Sequence, residues 1–280
     1  MNIDQAWAFG RRQLSDSPTP DLDARLLLQH VLQVGHSALI AHGDRALSPA
    51  QEQQYRRLIE EAKRKTPLPY LIGTAPFMGQ TFKVTPGVLI PRPETEQLVE
   101  AACRWAGTCT SLHVVDVGTG SGCIAVSLAR LLPNAIIDAV DISADALAVA
   151  RSNVARLAPG RIQFHRGHLL EPLSHPPDLV IANLPYIANG EWTMLDDGVK
   201  WYEPAVALRG GADGLDLIRQ LLQQAASRLS PGGAVFLEIG WQQGPLIRPL
   251  AQKQFPAARI NVLQDYAGRD RIVAIETGRA

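Results

Sequence analysis

The spacing of apolar positions changes along the chain, and the change divides it. In residues 1–74 apolar positions recur at helical intervals. Leu22, Leu26, Leu27, Val31 and Leu32 line one side of a predicted helix that Thr19 caps and Pro20 opens. Tyr55, Leu58, Ile59 and Ala62 do the same for a second helix, opened by Ser48-Pro49 with Gln51 completing a capping box. Arg56, Arg57, Lys63, Arg64 and Lys65 are interleaved with Glu60 and Glu61, the pattern of a solvated helix face. Pro67-Leu-Pro-Tyr70 and Gly73 then break the helical pattern. Between Pro76 and Ile90 the alternation in Gln80-Thr-Phe-Lys-Val84 predicts a short β-hairpin. Ile90-Pro-Arg-Pro-Glu-Thr-Glu96 leads into a helix bearing Leu98, Val99, Ala102 and Trp105.

From Leu112 the period alternates between strand and helix. Strands are predicted at Val114–Val117, Ala135–Val140, Ile162–Arg166, Asp178–Ala182 and Ala234–Ile239, and two more at Ile260–Gln264 and Arg271–Thr277. Helices are predicted at Ile124–Leu132, from Ser143 to about Ala158, and at Leu215–Leu229. Repeated βα units imply a mostly parallel α/β sheet with helices on both faces. The last strand pair has no helix between its members, so it forms an antiparallel hairpin at one edge. Three segments result: helical residues 1–74, a hairpin linker 75–90, and an α/β domain 91–280.

Composition narrows the function. The 280 residues carry 27 basic and 27 acidic side chains, so the net charge is zero. That argues against a broad phosphate-binding surface and stable nucleic-acid binding. Cys103, Cys109 and Cys123 form no Cys-x-x-Cys pair, which suggests a reducing compartment without disulfides or zinc. The first residues lack a secretory pattern, and no run of about 18 apolar residues could span a membrane. A cytoplasmic protein is expected.

Two stretches carry the chemistry. Asn183-Leu184-Pro185-Tyr186 follows the apolar strand 178–182, where open α/β sheets bind ligands. Asn183 offers an acceptor and a donor, Leu184 a backbone carbonyl held extended by Pro185, and Tyr186 a flat ring. These groups suit a planar –NH2: two acceptors take its hydrogens while the ring packs on the plane. The second stretch is Asp116-Val-Gly118-Thr119-Gly120-Ser121-Gly122, between strand and helix, where glycines allow close backbone approach to a ligand. Asp141 ends the next strand, where an acid can hold both hydroxyls of a ribose. Cys123 in the sixth fingerprint position, and the lack of a second mononucleotide half, disfavour a dinucleotide.

This combination resembles S-adenosylmethionine-dependent methyltransferases that act on planar nitrogens. The resemblance becomes specific over nearly the whole chain. Ile90-Pro-Arg-Pro-Glu-Thr-Glu96, the glycine loop, Asn183-Leu-Pro-Tyr-Ile187, Glu203-Pro-Ala-Val-Ala-Leu208 with Gly211-Ala-Asp-Gly214, and Glu238-Ile-Gly240 occur in this order. Together they resemble the bacterial peptide chain release factor glutamine methyltransferases. The resemblance implies a Rossmann-like class I methyltransferase sheet with a small N-terminal helical domain that docks the release factor. It implies methylation of the side-chain amide nitrogen of the glutamine in the Gly-Gly-Gln motif. Gly118, Thr119, Gly120, Ser121, Gly122, Asp141, His168, Leu169 and Asn183 would hold the cofactor. Asn183, Leu184, Pro185 and Tyr186 would bind the glutamine and carry catalysis, with Arg92 and Glu203 as further substrate-pocket candidates.

Two positions depart from the family. Leu184 replaces the first proline of Asn-Pro-Pro-Tyr, which keeps the carbonyl but gives up rigidity. Asn-Leu-Pro-Tyr is also similar to the motif of rRNA adenine dimethyltransferases, so these four residues leave the substrate open. His168 stands where the family has an acid that accepts from the adenine amino group; it is either a neutral acceptor there or an exposed loop histidine. Arg92 and Glu203 either shape the glutamine pocket or form a structural ion pair. An adenine-N6 methyltransferase of DNA or RNA is the main competing reading, followed by a catalytically silent cofactor-binding module and a dehydrogenase.

Overall fold

The computed structural model describes residues 1–107, 109 and 111–278. They form two compact units. The first comprises Met1–Thr74 together with Asp196–Tyr202. It contains α1 (Ile3–Gln13), α2 (Pro20–Leu32), α3 (His36–Ala41), α4 (Pro49–Lys63) and α5 (Leu68–Ile72). Capping boxes start α1, through Asn2 and Gln5, and α4, through Ser48 and Gln51. Leu27, Leu28, Leu39, Tyr55 and Ile59 are fully buried in its core. Each such large apolar side chain contributes roughly 1.5–3 kcal/mol by leaving water. The Tyr55 hydroxyl donates to the Ala24 carbonyl over 3.1 Å. Gly10 makes room for it, since a Cβ there would lie 2.0 Å from that hydroxyl oxygen.

Three details differ from the sequence expectations. The Thr19 hydroxyl donates to the Asp23 carboxylate over 3.0 Å and caps no backbone N–H of α2. The buried stripe of α2 is Ala24, Leu27, Leu28 and Val31, while Leu22 faces solvent. Pro67-Leu-Pro-Tyr70 belongs to a helical turn rather than a break: Pro67 stands at its start and Gly73, at φ +81°, ends α5. Proline is compatible with a first turn because the N–H it lacks there has no partner in any case.

The rest of the described chain forms the second unit. β1 (Thr74–Phe77) and β2 (Gln80–Lys83) make the hairpin, which turns at Met78-Gly79 with φ +47° and +68°. It is shorter than expected, and residues 84–92 are irregular. Asn153, fully buried, anchors it: its Oδ1 accepts from the Lys83 N–H and its Nδ2 donates to the Lys83 and Ser121 carbonyls.

The main sheet then follows. In chain order its elements are α6 (Pro93–Ala106), β3 (His113–Val117), α7 (Cys123–Leu131), β4 (Ile136–Asp141), α8 (Ala144–Leu157), β5 (Ile162–Arg166) and β6 (Leu179–Ala182). After β6 the chain makes α9 (Asp197–Tyr202), which belongs to the helical unit, and returns as α10 (Asp216–Arg228), β7 (Ala234–Glu238), α11 (Gly244–Gln254), β8 (Arg259–Gln264) and β9 (Asp270–Glu276). Trp201 and Tyr202 thus sit on a helix. The strand order is β5-β4-β3-β6-β7-β9-β8; the first five run parallel, and β9 is antiparallel to both β7 and β8.

β3 and β6 are buried on both faces, as parallel strands between helices are. Val114 and Ile181 point into the core under α6 and α7; Val115, Val117, Val180 and Ala182 point into the core under α10 and α11. Strand order reverses between β3 and β6, and such a switch point opens a crevice beyond the carboxyl ends of the strands. Val117 pairs with Ala182, so Gly118 and Asn183 leave the sheet side by side at that crevice.

Candidate active site

The glycine loop is shaped by a buried acid below it. Asp116 accepts from the Thr119 hydroxyl (2.7 Å) and the Ala125 N–H (3.0 Å) through one oxygen. Burial pushes its carboxyl up to about 7. Gly118, Gly120 and Gly122 have φ of +74°, +54° and +80°, which side-chain-bearing residues rarely adopt. The N–H groups of Gly118 and Thr119 donate to the Val140 carbonyl. A Cβ at Gly120 would meet only one atom, at 3.9 Å, so the loop is open on that side.

That side faces a cavity of about 220 Å³. The loop residues 118–121, Asp141, His168 and Leu169, and Asn183–Pro185 line it, together with Arg92 and Thr95. Asp141 accepts the Gly120 N–H on one oxygen (2.9 Å) and the Ser143 N–H on the other (2.8 Å). Burial raises its pKa and these bonds oppose the rise. Each oxygen keeps a lone pair for another donor. The His168 Nδ1 is buried and makes no hydrogen bond; the Glu171 carboxylate lies 3.7 Å away. Leu169 is buried at φ +50°, a conformation that costs a leucine roughly 1–2 kcal/mol.

The stretch after β6 is held from several directions. The Asn183 Nδ2 donates to the Thr95 hydroxyl oxygen over 3.1 Å, and that hydroxyl donates to the Glu238 carboxylate over 2.6 Å. The Tyr186 hydroxyl donates to the other Glu238 oxygen over 3.2 Å. Burial raises the pKa of Glu238; the bond from Thr95, the charge of Arg271 and the bond from Tyr186 oppose that. Burial and the Glu238 charge raise the Tyr186 phenol in turn, so it stays a donor.

The backbone of the stretch is clamped as well. The Gln243 Nε2 donates to the Tyr186 carbonyl (2.9 Å), and its Oε1 accepts from the Gly240 N–H (2.8 Å). Ile187 exchanges backbone bonds with Leu208 and Gly210. The glycines after it allow this closeness: a Cβ at Gly210 would lie 2.6 Å from the Pro185 carbonyl, and one at Gly214 2.1 Å from the Tyr186 carbonyl. The rigidity that Leu184 gives up by not being proline is supplied by these tertiary bonds.

The Arg92 guanidinium donates to the Glu203 carboxylate, which also accepts from the Ile90 N–H over 3.4 Å. The Glu203 side chain is 1% exposed and that of Arg92 33%. Arg92 lines the cavity, whereas Glu203 and Tyr186 are not among its lining residues. Of the groups described here, Thr95, Glu238 and Gln243 had no role assigned from sequence. The acid that closes the apolar strand Ala234–Leu237 was the available signal for Glu238.

Residues 5–73 match the PrmC N-terminal domain family, and residues 98–197 match the Methyltransferase small domain family. The release factor glutamine methyltransferase of Moorella thermoacetica is 42% identical over 275 residues, 97% of each chain. That of Bordetella pertussis is 41% identical over 261 residues, covering 92% of this chain and 96% of the relative. A methyltransferase structure from Pyrococcus furiosus superposes with a TM-score of 0.54 at 17% identity, over 81% of this chain and 98% of that one, and shares the fold. By sequence identity over almost its full length, the chain belongs to the release factor glutamine methyltransferase family.

Proposed function

We propose that the protein transfers a methyl group from S-adenosylmethionine to the side-chain amide nitrogen of the glutamine in the Gly-Gly-Gln motif of peptide chain release factors. One juxtaposition carries the reading at the level of residues: the tethered Asn183 amide opens on the same cavity as the glycine loop. Residues 91–280 do the chemistry, and the helices of residues 1–74 dock the release factor.

The residues suit the cofactor. Gly118 and Gly120 admit it closely, Asp141 has lone pairs for two ribose hydroxyls, and His168 has a buried nitrogen without a partner. S-adenosylmethionine, when bound, supplies a methyl group activated by a positively charged sulfur. An amide nitrogen is a weak nucleophile because its lone pair is shared with the carbonyl. The protein therefore works by positioning, which can contribute up to roughly 7–11 kcal/mol in the best cases. The Asn183 Oδ1 and the Leu184 carbonyl accept the two amide hydrogens and favour the positive charge that grows on them. Pro185 keeps Leu184 extended. Tyr186, outside the cavity lining, supports the stretch through its hydroxyl bond to Glu238, and Arg92, held by Glu203, closes the pocket. The proton leaves to water after transfer.

The test is mass spectrometry after incubation with labelled S-adenosylmethionine and a bacterial release factor, rRNA or unmethylated DNA. The expected result is a gain of about 14 Da, one methyl for one hydrogen, on the Gly-Gly-Gln peptide. Label confined to nucleic acid overturns the reading. Asn183→Ala is expected to lose on the order of 10²–10³ in turnover while retaining cofactor affinity.

A further inference from the structure

We propose that Thr95 and Glu238 are positioning residues that decide which end of the Asn183 amide faces the substrate; the inference rests on the function proposed above. An asparagine amide is nearly symmetric in shape, and a half-turn about its last bond exchanges acceptor for donor. A pocket for an –NH2 group needs the acceptor. A flipped Asn183 would set one –NH2 against another.

Nothing within Asn183 makes that choice. Glu238, only 1% exposed, makes it from a distance. Its Oε2 accepts from the Thr95 hydroxyl and its Oε1 from the Tyr186 hydroxyl. Thr95 has one hydroxyl hydrogen, and it is spent on Glu238 at 2.6 Å. The Thr95 oxygen can then only accept, so the Asn183 atom 3.1 Å away is the donor Nδ2. Oδ1 is the end left to meet another group. The second Glu238 oxygen takes the Tyr186 hydroxyl, so one buried carboxylate sets the direction of two residues of the stretch. The relay joins α6, the segment after β6 and the end of β7, which brings Thr95 and Glu238 together across 143 positions of sequence.

Thr95→Val removes the hydroxyl at nearly constant volume, and Thr95→Ser restores it. The full chain of each variant is assayed with release factor and S-adenosylmethionine. Cofactor Kd is measured separately, and solvent exchange of the Asn183 side-chain amide is followed by NMR without substrate. Thr95→Val is expected to lower kcat about tenfold, the worth of one directing hydrogen bond, with cofactor Kd within about twofold. Its Asn183 amide hydrogens exchange faster, and Thr95→Ser recovers both readouts. Unchanged kcat in Thr95→Val, or an equal loss in Thr95→Ser, overturns the proposal, as does an unaltered Asn183 exchange rate. Should Thr95→Val not fold, Glu238→Gln serves, because its amide can donate to Thr95 and reverse the relay; a normal kcat and Asn183 signal there overturns the proposal equally. The NMR readout needs no turnover. A wild-type protein that leaves the release factor unmodified therefore counts against the function alone.

Discussion

A methyl group of Leu184 lies 3.1 Å from the place a Cβ on Gly118 would occupy. The two residues follow neighbouring strands, so residues 183–186 pack close beside the glycine loop. Gly118→Ala adds a methyl against that contact at φ +74°, where a side chain is strained by about 1–2 kcal/mol. It is expected to raise the Kd for S-adenosylmethionine about tenfold, as read by titration calorimetry. Gly190→Ala is the control, because a Cβ there meets nothing within 4 Å. Equal affinities for the two variants would show that the contact does not bear on the cavity.

Gln243→Ala removes the amide that holds the Tyr186 carbonyl and the Gly240 N–H. Gln243 is buried, so its partners lose bonds that water cannot easily replace. Urea denaturation should show a loss of roughly 1–3 kcal/mol. Turnover should fall as the stretch loosens, with cofactor affinity close to normal. A stable variant with full turnover would mean that the backbone bonds of Ile187 with Leu208 and Gly210 alone suffice.

Asp116 makes stability depend on pH in a fixed direction. Its carboxyl titrates near 3.8 in an unfolded chain and is pushed up to about 7 by burial in the fold. Between those values the folded state holds a proton that the unfolded state has released. Its contribution is therefore fully present below about 3.8 and is lost as pH rises through about 7. Denaturation at pH 5 and pH 8 is expected to show wild type losing more stability than Asp116→Asn over that interval. Parallel losses would assign the slope to other groups.

His168 should make cofactor binding weaken in acid. A neutral imidazole can accept at Nδ1, and a protonated one cannot. The protonated ring would also be drawn to the Glu171 carboxylate 3.7 Å away. The Kd for S-adenosylmethionine is expected to rise as pH falls. His168→Asp should flatten that rise. A variant with the wild-type profile would remove His168 from the adenine contact.

What the sequence revealed and what it hid follow from the range of the interactions. β3 and β6 could be read because both faces of each strand are buried, and that leaves a local apolar run. Gly118, Gly120 and Gly122 could be read because their backbone angles exclude other residues. The pairing of Arg92 with Glu203 was one of two anticipated arrangements, and the structure brings the pair together. α5 and α9 escaped because helices of five and six residues carry too few periodic positions to register. α11 was not anticipated, since Pro245 and Pro249 read as breaks in a sequence and lie here within a helix. Thr95 and Glu238 sit in stretches that were noticed, yet their partnership is a product of sheet order, which no local pattern encodes.

The helical unit is discontinuous in the chain, since residues 196–202 belong with residues 1–74. A single cut after Thr74 therefore fails to divide the protein into its parts. It would strip five helices and leave α9 behind, with the Tyr202 hydroxyl deprived of the Arg64 carbonyl to which it donates over 2.9 Å. Exchange of helical units between relatives requires three splice points, and recombination that moves only the first 74 residues must carry a compatible α9 with it. Residues 196–202 thus inherit with the helices rather than with the sheet whose sequence surrounds them.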